Sequence, residues 1–87
     1  MKTLTFTMQL QKLDGFDEKD FISILKSNVS KVLAKIVRYD NVEDRYHFEV
    51  QFEPISQNIS YQPILGCFTS IEREYNRVKL IGIHLEN

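Results

Sequence analysis

Between Asp14 and Tyr39 the apolar positions recur every three or four residues. At 100° per residue, with Lys31 at zero, Phe21, Ile22, Leu25, Val29, Val32, Leu33, Ile36 and Tyr39 fall between roughly 80° and 200°. Val37 lies just outside that arc, and Ser27, Lys31, Lys35 and Arg38 lie opposite it. The pattern predicts one long amphipathic helix over residues 17–38. Asp17 suits its N-cap, and Phe16 and Phe21 have the spacing of a hydrophobic staple across it. Asp17, Glu18 and Asp20 at the start, and Lys31, Lys35 and Arg38 at the end, complement the helix dipole. Burying each apolar side chain stabilises by about 1.5–3 kcal/mol before entropy is subtracted, so this face requires a sheet to pack on. In a competing reading the helix breaks near Asn28–Ser30, and Lys31 to Tyr39 form a strand beside Arg45 to Phe52. The long helix is preferred because a strand would place Val32 and Ile36 on one face and Leu33 and Val37 on the other, with no alternation.

Elsewhere the period is two. From Thr3 to Leu13, Leu4, Phe6, Met8 and Leu10 alternate with Thr and Gln. From Arg45 to Glu53, Tyr46, Phe48, Val50 and Phe52 alternate with Arg45, His47, Glu49 and Gln51. Both read as half-buried strands. Ile55 to Pro63 reads as a packed loop. In Ile64 to Tyr75 the spacing of Ile64, Cys67, Phe68, Ile71 and Tyr75 is helical. Gly66, Cys67, Phe68, Thr69 and Ser70 are poor helix formers, and a strand over Leu65–Arg73 is expected on propensity. Val78 to Leu85 reads as a strand with apolar residues on both faces: Ile81, Ile83 and Leu85 on one, Val78 and Leu80 on the other. Such a strand is ordinarily covered on both sides.

The order βαβββ predicts an α+β domain over residues 1–87: a four-stranded, mostly antiparallel sheet with one long helix across one face. The alternative is a ferredoxin-like βαββαβ arrangement.

Composition narrows the function classes. Over 87 residues the chain is 43% hydrophobic and 26% charged, which is ordinary for a globular domain. A net charge of −1 gives no global attraction to nucleic acid or to an anionic membrane. No apolar run reaches the ~18 residues that span a bilayer, and Thr and Gln interrupt the first residues where a secretory leader would be apolar. A single cysteine, Cys67, forms no internal disulfide and points to a reducing compartment, so a cytoplasmic location is expected. Nine Ile against one Ala suggest an AT-rich source, a bias shared by phages and other mobile elements.

Candidate chemistry is sparse. Cys67, His47 and His84 lack the paired spacing of a metal site, and Cys67 is expected to be a small buried hydrophobe. Asp40, Glu43 and Asp44 crowd a turn without the order of a cation-binding loop. The three glycines form no phosphate-binding pattern. No catalytic residue, cofactor or metal site is expected. The expectation is a non-enzymatic protein-interaction module, such as a mobile-element-encoded inhibitor or accessory protein that binds a host protein. Its contact surface would be the sheet face or edge around Leu65, Val78, Leu80 and His84. Two alternatives are a nucleic-acid-binding module using a basic helix stripe of Lys31, Lys35 and Arg38, and a self-assembling homodimer in which symmetry buries the two-sided last strand.

Overall fold

The computed structural model describes residues 2–52 and 62–86. The elements are β1 (Lys2–Lys12), α1 (Glu18–Ser30), β2 (Ala34–Val42), β3 (Arg45–Phe52), α2 (Gln62–Thr69), α3 (Ile71–Glu74) and β4 (Val78–Leu85). The four strands form one sheet in the order β2-β3-β1-β4, with every neighbouring pair antiparallel. The helices pack on one face of it. This is the α+β sheet-and-helix layer that the patterning predicts. The order is βαββααβ, closer to the ferredoxin-like βαββαβ alternative than to βαβββ, with two helices in place of its second one.

The two central strands set the frame. Leu4 pairs with Val50, Phe6 with Phe48 and Met8 with Tyr46, and all six side chains are buried. α1 begins as its sequence directs. The Asp17 carboxylate accepts from Lys19 N at 2.9 Å, and the rings of Phe16 and Phe21 lie 5.6 Å apart as a staple. The Tyr75 hydroxyl accepts from Asp17 N at 2.7 Å, fixing the chain as it enters the helix.

The helix ends thirteen residues later, not at residue 38. Lys31, Val32 and Leu33 turn back in i to i−3 bonds onto Asn28, Val29 and Ser30. Leu33 then takes φ +58°, the left-handed conformation in which glycine usually ends a helix. β2 follows, paired along β3 as in the competing reading. Ile36 faces Val50 and Arg38 faces Glu49, so Val37 is an extra residue in a β-bulge. The bulge resets the alternation, and Ala34, Ile36 and Tyr39 all meet the helix side.

β4 uses the same device. Leu10 pairs with Leu80 and Gln9 with Gly82, leaving Ile81 unpaired in a bulge. Val78, Leu80, Ile83 and Leu85 thereby share the face of Leu10, Met8 and Phe6. The strand is not apolar on both faces. Its apparent second face arises from one inserted residue, Ile81, which is exposed.

Residues 62–74 are helical where propensity favours a strand. Ile64, Phe68, Ile71 and Tyr75 are buried, and the Phe68 ring lies 5.2 Å from Phe6 and 5.3 Å from Phe48. Burial of this helical stripe outweighs the tenths of a kcal/mol per residue by which Phe, Thr and Gly disfavour helix. The packed loop expected at Ile55–Pro63 lies, up to residue 61, outside the described residues, and Gln62 and Pro63 open α2.

A left-handed conformation costs a non-glycine residue about 1–2 kcal/mol, while glycine loses about 0.4–1 kcal/mol more backbone entropy on folding. Leu33 is 71% exposed, so truncating it forfeits little burial. Leu33→Gly is expected to stabilise the fold by about 0.5–1 kcal/mol, read as a raised urea midpoint at constant slope. A lowered midpoint would contradict this account of the helix end.

Candidate functional site

The sheet face away from the helices carries the polar half of each strand's alternation. Across it, Asp40, His47, Thr7 and His84 form one row from β2 to β4, and Val42, Arg45, Gln9 and Gly82 form the next. Arg38, Glu49 and Thr5 form a third row, closed by Glu86, whose N–H donates to Thr5 O at 2.8 Å. No described element covers this face.

At its centre the Thr7 hydroxyl donates to Glu86 Oε1 and lies 3.2 Å from His47 Nδ1. A hydroxyl has one proton, so with that proton on Glu86 the His47 ring must donate, and Nδ1 carries the hydrogen. Glu86 Oε2 is also 3.8 Å from His47 Nδ1. A nucleophile–histidine–carboxylate relay needs the hydroxyl and the carboxylate on opposite ring nitrogens. Here both meet Nδ1, and the hydroxyl bonds the carboxylate directly. The cluster is a hydrogen-bonded polar surface spanning β3, β1 and the end of β4.

Beside it a shallow depression of about 330 Å³ is lined by Thr7, Gln9, Arg45, Gly82, Ile83, His84 and Glu86. Gly82 makes the space: a Cβ there would meet nothing within 4 Å. The depression offers a guanidinium, a carboxylate, an imidazole and a side-chain amide around a floor that lacks a side chain. Its lining mixes these polar groups with apolar surface.

The residues singled out from sequence are redistributed. His84 is exposed on this face, in the row of Thr7. Val78 is only 3% exposed and belongs to the core, so it is no contact surface. Leu80 is half-buried on the helix side, and Leu65 is half-buried on α2. The proposed grouping of Leu65, Val78, Leu80 and His84 therefore does not form one patch, because the bulge turns Val78 and Leu80 inward. The basic helix stripe dissolves too. Lys31 is the C-cap of α1, while Lys35 and Arg38 lie on β2, facing away from the helices. Arg38 Nε is 3.8 Å from Glu49 Oε2, a partly neutralised pair.

Cys67 sits on the helix side, where its thiol donates to Asn28 O at 3.2 Å. The sheet separates it from His47 and His84, so no Cys–His pair assembles. Among the described residues no three His, Cys, Asp or Glu side chains converge as metal ligands, and no helix is long and apolar enough to cross a membrane. Sequence reasoning missed Thr7, Gln9, Arg45, Gly82 and Glu86. The available signal was the polar half of β1 and β3, two adjacent central strands. No known protein family matches the sequence, and no curated protein matches it.

Two protons, one on the buried Tyr46 and one on the half-buried Cys67, give this architecture a pH signature. The Tyr46 phenol is fully buried without a hydrogen-bond partner among the described residues. Burial, then the nearby Glu18 charge, pushes it well above its ordinary 10.0. Burial pushes the Cys67 thiol above its ordinary 9.0, with Lys31 opposing and Glu74 reinforcing the shift. The folded chain therefore holds both protons more tightly than the unfolded chain, and stability falls as pH rises through these values. The free energy of unfolding is expected to be insensitive to these groups below pH 8 and to decline above pH 9. Tyr46→Phe removes the upper part of that decline and changes stability at pH 7 by no more than about 1 kcal/mol. Urea titrations across pH for both proteins check it, and an unaltered alkaline slope in Tyr46→Phe contradicts it.

Proposed function

We propose that this chain is a non-enzymatic protein-interaction module that binds its partner through the uncovered sheet face. The observation that carries the reading is the polar surface of β3, β1 and β4 around the Gly82 depression, flanked by Arg45, His84 and Glu86. A protein surface supplies what this face can use: hydrogen bonds distributed over a broad area and charges of both signs. Nucleic acid is the weaker reading. Phosphate tracking wants an uninterrupted basic surface and base stacking wants exposed rings. Here Lys35, Arg38 and Arg45 alternate with Asp40, Glu49 and Glu86, and the aromatic residues of β1 and β3 point to the core. An inhibitory or accessory role fits a small rigid face that occludes another protein's surface. A cytoplasmic setting would keep Cys67 as a thiol.

The test is partner capture by the immobilised chain from an extract of the cells that encode it, followed by affinity measurement with the purified partner. Gly82→Arg fills the depression without a backbone clash. It is expected to leave the melting temperature within a few degrees while weakening binding by about tenfold or more. Ser27→Arg, on the exposed side of α1, is the control that leaves binding intact. Equal binding by Gly82→Arg and the unaltered chain would remove the sheet face from the interface.

A further inference from the structure

The sheet has two edges, and they differ. On β4 the outward N–H of Leu80 is occupied by the Glu72 carboxylate of α3, and the Ile81 bulge follows it. Bulges and edge-directed charges block strand addition. On β2 no described side chain caps the outward backbone. Three of the five exposed large apolar side chains among the described residues lie on β2 or immediately before it: Leu33, Val37 and Val42. Two depressions run between this edge and α1 and share Lys26 and Tyr39. One of about 250 Å³ reaches Ile36 and Val37, and one of about 390 Å³ reaches Ile22 and Ser23.

We propose that β2 pairs with β2 of a second copy of this chain, antiparallel about a two-fold axis through Tyr39. The register follows from side-chain alternation and charge. An antiparallel two-fold pairing keeps core-facing residues opposite core-facing residues only when the axis passes through a residue, not between two. Centred on Arg38, it sets Arg38 against the partner's Arg38. Centred on Asp40, it sets Asp40 against the partner's Asp40. Like charges directly opposite are destabilising. Centred on Tyr39, it places Arg38 opposite the partner's Asp40 twice and brings the two Tyr39 rings together on the helix side. Asp40 has no ion-pair partner among the described residues, and the Arg38–Glu49 contact is long and exposed. Asp40 can take up the new pair directly, and Arg38 can be shared between that pair and Glu49. The Val37 bulge limits the ladder to about five residues a side, which makes the dimer reversible rather than obligate. The result is an eight-stranded sheet with both sets of helices on one face. It leaves the Gly82 depression untouched, so it stands or falls independently of partner binding at that face.

Sedimentation across a concentration series reads the association. The unaltered chain is expected to show a reversible monomer–dimer equilibrium. Arg38→Asp and Asp40→Arg, both at exposed positions, are each expected to weaken it by about tenfold or more, because each places like charges opposite. The double variant Arg38→Asp/Asp40→Arg is expected to restore it. Mixing the two single variants is expected to give a heterodimer, since each then meets the opposite charge. The proposal is overturned if the unaltered chain stays monomeric, if single variants associate as it does, or if neither the double variant nor the mixture recovers the dimer.

Discussion

Each edge strand of this sheet carries one residue more than its neighbour can pair with, and the sidedness of the molecule depends on that extra residue. In β4 the insertion is Ile81, and in β2 it is Val37. A strand's side chains alternate with a period of two, so a single unpaired residue inverts everything beyond it. Without the bulges, Val78 and Leu80 would oppose Ile83 and Leu85 across β4, and Ala34 and Ile36 would oppose Tyr39 across β2. An apolar row would then lie in water on each edge. With them, Ala34, Ile36 and Tyr39 of β2 and Val78, Leu80, Ile83 and Leu85 of β4 turn to the helices, and the opposite face is polar from β2 to β4 apart from Val42, with the bulged Val37 and Ile81 also exposed.

That sorting makes the aromatic core possible. Phe68 on α2 packs against Phe6 and Phe48 from the two central strands, and Phe21 on α1 packs against Tyr46 and Tyr75. Tilted ring pairs of this kind contribute about 0.5–1.5 kcal/mol each beyond the area they bury. The helices are tied to one another by Asn28, buried on α1. Its side-chain amide donates to Glu74 at 2.6 Å and to Ile24 O at 2.8 Å, while its carbonyl accepts from Cys67. A buried amide left unpaired costs about 1–3 kcal/mol, so this group resists any sliding of α1 past α2 and α3.

The legible parts of the fold were those whose local pattern and tertiary role coincide. β1 and β3 are central and unbulged, and their alternation maps directly onto burial. The α1 start is written in Asp17 and the Phe16–Phe21 staple. The end of α1 was not legible, because Leu33 occupies the left-handed position that glycine or asparagine usually signals. Downstream, Val32, Leu33 and Ile36 happen to continue the helical stripe, although Val32 and Leu33 belong to a turn and Ile36 to a strand. The Val37 bulge erased the alternation that would have identified β2. In Ile64–Tyr75 the error ran the other way: the 3.6-residue spacing was correct and intrinsic propensity misled. Of the candidate site, only His84 was placed on the surface now favoured. Val78 and Leu80 were chosen from an apparent two-sidedness that one bulged residue creates, and Leu65 from a strand that is helix α2.

The same bulges constrain where a partner can attach. A bulge bends an edge and interrupts its outward backbone groups, and so protects against indiscriminate strand addition. In β4 the bulge sits mid-strand beside a carboxylate already bonded to the edge, so little continuous edge remains. In β2 the bulge sits three residues into the strand, and the segment from Arg38 to Val42 stays regular behind it. Opposite charges two residues apart, at Arg38 and Asp40, flank one aromatic residue in that regular segment. Such an arrangement is self-complementary under a two-fold axis and mismatched when the register slips. The edge that bulging leaves open is therefore also the edge whose charges can discriminate one register from another. The uncovered face, which has no free backbone groups to offer, must recognise its partner through side chains alone.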